Sequence, residues 1–539
     1  MCRSSFATAP RSSVAHVTMT TQRSRRLAAA WCGIVSAIAG LGLAELISAF
    51  SAPTSSPLAS TGAALIDLAP GWAKEVVVGL FGTADKVAII VLLIAVVLAL
   101  AAVAGLAETR RRFTGMAIFA ALGVLASLAA ATRAGANPAY AIPAIVGVLI
   151  AIAILRRFVK ELPAERTPRP ELDDRPQVRT ALGASGPSRR SFLISTGIAA
   201  VVGIASGIVA QASTAAGRAA EAARAAIRLP RAATTVAAPT ASMSFDIQGL
   251  SPLITPNADF YRIDTALIVP AVDPTTWQLR IHGMVENEVT ITFAELLALP
   301  MQESDTTLMC VSNYVGGDLI SNAVWTGYPI RELLARAAPT ADADMVLSTS
   351  ADGWTASTPL EALTDDRNAI LAVGMNGELL PAEHGFPVRM VVPGLYGYVS
   401  ATKWVTDLNV TRFDRETAYW TDRGWGEKGP IKISSRIDVP TSVASGAGDV
   451  VVAGVAWAQH TGISKVEVQV DDSAWAEATL ADELSIDTWR QWMWTWPAEA
   501  GEHTLRVRAT DRAGKLQIAE PQDVLPDGAT GYHSVTVTV

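Results

Sequence analysis

The chain has three cysteines, and two of them, Cys2 and Cys32, lie in the N-terminal tail and the first apolar run. Cys310 is therefore alone in the polar part of the sequence, and no disulfide framework can be built around it. Thr306-Thr307-Leu308-Met309 reads as a strand, and Cys310-Val311-Ser312-Asn313 leads from it into a loop that carries Gly316-Gly317. A thiolate at a strand end, facing a loop, suits a soft metal. The bland alternative is a small buried hydrophobe, so the case for Cys310 rests on what surrounds it. The six histidines, His16, His282, His384, His460, His503 and His533, are scattered, with no HExxH or paired spacing. No GxGxxG follows a strand and no phosphate loop occurs. There is no CxxCH for c-type haem, and no histidine lies in the long apolar runs, which excludes a b-type haem held by two histidines across a bundle.

Downstream comes Met375-Asn376-Gly377-Glu378-Leu379-Leu380-Pro381-Ala382-Glu383-His384-Gly385-Phe386-Pro387-Val388-Arg389. It is followed by Val391-Val392-Pro393-Gly394-Leu395-Tyr396-Gly397 and by Thr402-Lys403-Trp404. This resembles the sulfite-oxidase family of molybdopterin enzymes, whose members show MNGxxLPxxHGFPxR, then VxPG and a KW pair. The cysteine sits upstream, where the family has its molybdenum ligand, and Asn257-Ala258-Asp259-Phe260-Tyr261-Arg262 looks like the family's early cofactor-contacting turn.

The resemblance implies a molybdenum–molybdopterin cofactor with Cys310 as metal ligand and catalytic residue. Asn257, Tyr261, Arg262, His384, Arg389, Thr402 and Lys403 are the expected cofactor contacts. Arg389 and Lys403 would supply charge to the pterin phosphate, His384 a donor to the pterin or phosphate, and Asn257 and Tyr261 neutral hydrogen bonds. Gly394 and Gly397 would allow close backbone approach. Cys310 and the two pterin sulfurs leave positions on the metal for two-electron oxygen-atom transfer, with the protein orienting and tuning. Read from the residues alone, His384 could be structural, Arg389 could pair with Glu383 or Asp407, and Tyr261 could belong to the core.

In sulfite and nitrate members the cysteine is expected to be followed by a loop ending in arginines, which help to bind the anion. Here Val311-Ser312-Asn313-Tyr314-Val315-Gly316-Gly317 carries no basic residue. That is more like the exported bacterial branch, which includes reductases of sulfoxides such as oxidised methionine. Asn313 and Tyr314 are the expected lining of the substrate pocket. The expected activity is oxygen-atom transfer on a small S-oxide or N-oxide, with sulfite oxidation as the alternative. A non-catalytic binding protein on a degenerate enzyme domain is the alternative of another class. A transporter is disfavoured, since the apolar runs hold almost no ionisable residues beyond Glu45 and Glu108. With no haem, iron–sulfur or flavin motif in the chain, electrons must pass to or from an external cytochrome or a quinol-linked protein.

The elements that must carry this chemistry follow from composition. Half of the 539 residues are hydrophobic and 17% are charged, and the net charge of −7 gives no basic footprint for nucleic acid. Apolar runs near the length of about 20 residues that spans a bilayer occur at 27–50, 86–107, 113–132, 138–156 and 192–211. Basic clusters flank them on alternate sides: Arg23, Arg25 and Arg26; Arg110, Arg111 and Arg112; Arg156 and Arg157; Arg189 and Arg190. The other loops are poor in basic residues, with Lys74 and Arg133 as examples. The positive-inside rule then puts the N-terminus in the cytoplasm and everything after 212 outside. Residues 58–82 read as an amphipathic helix on the outer surface or a re-entrant piece of the bundle. Ser188-Arg189-Arg190-Ser191-Phe192-Leu193 resembles the twin-arginine signal for export of folded proteins.

The expected architecture is multidomain. A transmembrane region of five helices (1–214) leads through a linker (215–244), read as a helix and then a flexible tether, to an α+β molybdopterin domain (245–430). Within that domain 277–281 reads as a strand, and 293–299 and 329–337 as amphipathic helices. An all-β stretch (431–539) has alternating runs at 450–457, 464–470, 489–496, 503–509 and 534–539 and suits an immunoglobulin-like sandwich. The family implies that this last domain makes a homodimer. Trp489, Trp492, Trp494 and Trp496 are expected to fill its core and a dimer face.

Overall fold

The apolar runs of the N-terminal half form helices, the structure that satisfies every backbone group within one segment. The computed structural model describes residues 12–51, 55–70, 85–133, 136–162, 189–212, 215–443 and 447–539, with isolated positions between 73 and 81. The chain divides into two units, one made of Met1–Ala69 and Lys74–Arg218, the other of Pro70–Ala73 and Ala219–Val539.

In the first unit, four helices among the described residues are long and apolar enough to cross a membrane: Ser24–Ser51, Lys86–Arg110, Thr114–Ala131 and Pro138–Glu161. The expected fifth span falls on the helix Arg189–Ala212. Its described apolar stretch, Thr196–Ile208, is shorter than the about 20 residues that a span needs. Ser188 and the loop before it lie outside the described residues, as do the side chains from Arg189 to Leu193. The first helix packs through small residues: a Cβ on Gly33 would run into the Ala101 carbonyl, and one on Gly105 into that of Ala29. Cys32 is fully buried there beside Val35, Ala101 and Ala104. Where an outer amphipathic helix or re-entrant piece was expected, the helix Pro57–Leu68 packs against Thr114–Ala131. Glu45 receives hydrogen bonds from Ser56 Oγ at 2.7 Å and Leu58 N–H at 3.1 Å, tying down its start. Arg133 pairs with Asp67 at 2.6 Å near its end.

The linker begins with a helix, Ala215–Ala226, and the stretch that follows it in the second unit is not loose. Ala233 N–H donates to the Met301 carbonyl at 2.7 Å and Glu303 N–H to the Thr234 carbonyl at 2.9 Å. The expected flexible tether is instead pinned to the exposed edge of a strand, β3 (Gln302–Met309), whose outer backbone groups need partners.

Two five-stranded sheets follow. One runs β3, β4 (Ile320–Pro329), β7 (Ile370–Met375) and β8 (Glu378–Leu379), with β9 (Arg389–Val391) also on β7. The other runs β2 (Val289–Thr292), β1 (Gln278–Gly283), β10 (Val405–Thr411), β5 (Met345–Ser350) and β6 (Thr355–Pro359). In this second sheet β1 and β10 are parallel and the remaining pairs antiparallel. The unbroken apolar run of β7 is buried on both faces, as a central strand requires. The helix Phe293–Leu297 starts on a capping box, Thr292 Oγ1 accepting Glu295 N–H and the Glu295 carboxylate accepting Thr292 N–H at 2.8 Å.

The C-terminal strands form two four-stranded sheets. These are β11 (Ser434–Val439), β12 (Gly448–Trp457), β16 (Arg490–Ala498) and β15 (Thr479–Leu480), and β14 (Ala476–Glu477), β13 (Ile463–Val470), β17 (Glu502–Asp511) and β18 (His533–Thr538). Trp492 and Trp496 share a core with Val452, Val468, Leu505 and Val507, and Trp494 packs partly against it. Trp489 does not join them. It lies with Trp457 in the core of the preceding sheets, its Nε1 donating to the Leu253 carbonyl at 3.0 Å.

Candidate active site

Strand β3 ends at Met309, so Cys310 is the first residue off its edge, held by its own N–H donating to the Leu319 carbonyl at 2.9 Å. The thiol is buried and lies 2.9 Å from Ser312 Oγ. Burial pushes its pKa up, while the Ser312 hydroxyl and the N–H groups of Ser312 and Val311 pull it down. Those donors favour the thiolate that a metal ligand must be.

Near this sulfur is Tyr261, which belongs to a cluster drawn from three segments. Tyr261 is fixed by its N–H donating to Ser321 Oγ at 3.1 Å. Burial raises its hydroxyl pKa, with Cys310 adding to the rise and Arg389 opposing it. Asn257 accepts at Oδ1 from Asn376 Nδ2 at 2.8 Å and donates to the Met375 carbonyl at 3.3 Å. Its own carbonyl accepts from His384 Nε2 at 3.1 Å, which places that ring's proton on Nε2. His384 stands edge-on to Phe260. Burial, and then the Arg389 charge, lower its pKa to about 4.

Arg389 is the most telling member. It is buried, donates to the carbonyls of His384 at 3.1 Å and Ala401 at 3.5 Å, and lies over the Trp325 ring at 4.9 Å. Burial lowers its pKa to about 10. Among the described residues no carboxylate pairs with it. Glu383 does not reach it, and Asp407 is engaged by His282 at 3.0 Å. A buried cation without an anion is expensive, so this position suits an anionic group supplied from outside the chain, such as the phosphate of a pterin.

The other expected contacts are placed less simply. Lys403 is nearly buried, and its Nζ is bonded to the Asp264 carboxylate and the Glu383 carbonyl, the latter at 3.1 Å. Its charge, expected to serve a phosphate, is thus met within the protein. Asp264 also accepts from Arg262 Nε at 3.1 Å, so Arg262 reaches the cluster through that shared carboxylate. The Thr402 hydroxyl is fully buried at 2.7 Å from Ser348 Oγ. Asn313 closes the loop, its Oδ1 accepting Leu319 N–H at 2.8 Å. Its Nδ2 is buried without a hydrogen-bond partner. Tyr314 is 49% exposed, at the surface rather than against the sulfur. A Cβ at Gly397 would make only ordinary contacts, 3.6 Å from Met309 O and from Tyr261 Oη; Gly394 lies instead beside His460 and Arg367.

Several residues with roles here had no separate signal in the sequence. Ser312 sits on the sulfur, and Asp264 is the counter-ion of Lys403. Asn376, at φ +50°, locks Asn257 and also accepts Val324 N–H at 3.0 Å. Only Asn376 lay inside the quoted motif, where its position in a tight Asn-Gly turn was the available clue.

His384 yields a pH prediction. Its pKa is depressed in the fold from 6.5 to about 4, so its contribution is present in full above pH 6.5 and is lost as pH falls through about 4. The loss is on the order of 3 kcal/mol. In urea titrations of the cofactor-free chain, His384→Gln is expected to remove this part of the acid limb. Equal acid sensitivity in both proteins would show that another group titrates there.

Comparison with known proteins bears on the class of enzyme. A family model described as the oxidoreductase molybdopterin binding domain matches residues 266–420. The chain is 32% identical over 157 residues to "Uncharacterized oxidoreductase YuiH" of Bacillus subtilis, a match covering 29% of this chain and 76% of that protein. To mitochondrial sulfite oxidase of Mus musculus it is 28% identical over 324 residues, covering 51% of this chain and 58% of the mouse protein. Among solved structures, the sulfane dehydrogenase SoxCD of Paracoccus pantotrophus matches with a TM-score of 0.47 at 24% identity, over 54% of this chain and 84% of that one. The chain belongs to the sulfite-oxidase family of molybdopterin-dependent oxidoreductases. Its cofactor is molybdopterin.

Proposed function

We propose that this protein is a membrane-anchored enzyme whose catalytic domain lies outside the cytoplasm and transfers an oxygen atom, with two electrons, to or from a small uncharged S-oxide or N-oxide. Cys310 would ligate the molybdenum. Arg389 would take the pterin phosphate, with His384, Asn257, Tyr261, Thr402 and, through Asp264, Arg262 and Lys403 shaping the seat. When bound, the cofactor supplies the two-electron chemistry. The chain's own residues orient it, keep His384 a neutral donor, and surround the thiolate with apolar and hydroxyl groups. Asn313, with its buried and unpartnered Nδ2, is a donor for a substrate oxygen, and Tyr314 marks the rim.

The observation that carries the substrate class is the charge balance of the loop after Cys310. A cation that touches it, Arg436, is ion-paired to Asp438 at 2.6 Å and donates to the Gly317 carbonyl. An anion gains little from a cation already neutralised. Sulfite oxidation is the second reading, favoured by the likeness to the mouse sulfite oxidase.

In the proposed topology five spans, with the basic clusters inside, deliver the second unit to the outer face. Arg189 and Arg190 act as the export signal, and electrons pass to or from a separate cytochrome or quinol-linked protein. The C-terminal sheets act as an immunoglobulin-like dimerisation domain; a monomer by mass photometry in detergent would remove that part. One assay on spheroplasts addresses both substrate and side. With a reduced, membrane-impermeant viologen, methionine sulfoxide or an N-oxide is expected to turn over with kcat/KM at least about tenfold above that for sulfite with ferricyanide. Faster sulfite turnover would favour the second reading, and activity appearing only after lysis would contradict the topology.

A further inference from the structure

The stretch from Cys310 to Leu319 has no regular secondary structure. Its internal ties include the Cys310–Leu319 backbone bond, the contact of Cys310 Sγ with Ser312 Oγ, the Asn313 side chain and two short turns. Much of its remaining anchorage comes from the C-terminal sheets. Arg436 on β11 donates to the Gly317 carbonyl at 2.7 Å. Its Nε goes to Asp438 at 2.6 Å and its remaining terminal nitrogen to Ser251 Oγ at 2.7 Å. Asp438 in turn accepts the Ser251 backbone N–H at 3.0 Å. The two side chains are only 10% and 7% exposed. A buried ion pair is tolerated when its spare donors and acceptors are used, and here they are used on the Cys310 loop and on the segment at Ser251. A second contact comes from His533 at the start of β18. Its Nδ1 accepts Ile437 N–H at 3.0 Å, and its ring lies against Gly316. Gly316 has a φ of +80° and no Cβ; a Cβ there would run into the imidazole.

We propose that Arg436 and Asp438, with His533 on the neighbouring glycine, are positioning residues for the Cys310 ligand, so that the C-terminal sheets form part of the active centre. A fork of three guanidinium nitrogens, each on a different group, fixes direction as well as distance. A loop held this way keeps the sulfur aimed; a loop released from it lets the sulfur wander, and metal geometry suffers when supporting residues are lost. The proposal rests on the assignment of Cys310 as the metal ligand.

Arg436→Ala would strand Asp438 without its partner and endanger the fold. The test therefore uses three other variants. Arg436→Lys keeps the charge and loses the fork. Gly316→Ala pushes the loop off His533 and leaves the ion pair alone. The double variant Arg436→Met, Asp438→Asn removes both charges together. Each is made in the full chain, in a host that cannot make the pterin, and near-ultraviolet circular dichroism confirms that it is folded. Iodoacetamide labelling followed by peptide mass spectrometry separates Cys310 from Cys2 and Cys32. The folded variants are expected to label at Cys310 about tenfold faster or more than wild type, the scale of a lost charged hydrogen bond. When loaded with cofactor, they should show a shifted metal–thiolate spectrum and a kcat that falls more than KM changes. Wild-type labelling rates and an unshifted spectrum in the folded variants would overturn the proposal. The labelling needs no metal, so an error in the ligand assignment shows separately, as a metal spectrum indifferent to Cys310→Ser.

Discussion

Cys310→Ser is expected to retain the pterin and lose turnover by on the order of a thousandfold or more, because the metal carries the chemical step and its protein ligand sets its electronics. The substitution is small, and Ser312 Oγ, 2.9 Å from the sulfur, can bond to an introduced hydroxyl, so the fold should survive. The proposed phosphate seat at Arg389 is contributed by other strands and loops and should still hold the cofactor. The check is a paired measurement of bound pterin and of kcat in the same preparation. Turnover within a few-fold of wild type would remove Cys310 from the metal. Loss of pterin together with activity would mean that the sulfur holds the cofactor as well as tuning it.

The second large effect is two-sided. Arg389 is a buried cation whose bonds go to carbonyls and an aromatic face. In the cofactor-free chain Arg389→Met removes a desolvated charge and fills much the same volume. It is expected to leave stability unchanged or raise it by about 1 kcal/mol. In the presence of cofactor the same substitution would remove the charge-assisted bonds proposed to the phosphate and should weaken pterin retention by on the order of 100-fold. A structural arginine would behave differently: its loss would destabilise the cofactor-free protein and affect retention only in proportion. Urea melts without cofactor and pterin dissociation with it separate the two cases.

The parts of this account legible in the sequence are those written in consecutive residues. His384, Arg389 and Lys403 fall within one stretch spanning β9 and its flanks, and they come together because that stretch folds back on itself. The strand alternation was readable for the same reason, with β12, β13, β17 and β18 within a residue or two of expectation. What escaped depends on distant partners. Lys403 meets Asp264 from 139 positions away, and Arg436 meets Gly317 from 119; no local pattern marks either pair. The segment after residue 226 looked like a tether because Ala, Thr and Pro show no periodicity, yet its backbone pairs with the edge of β3. Trp489 was placed with its neighbours by alternation, but it sits one residue before β16 begins and points into the other core. The fifth apolar run is interrupted by Ser195, Thr196 and Ser206.

X-ray absorption at the molybdenum edge, on the full chain purified from a pterin-making host, tests the central claim most directly. Wild type is expected to hold molybdenum with sulfur ligands from both the pterin and the protein, and Cys310→Ser to lose one sulfur with the pterin sulfurs intact. A folded, cofactor-loaded wild type whose sulfur shell does not change on that substitution would contradict the account.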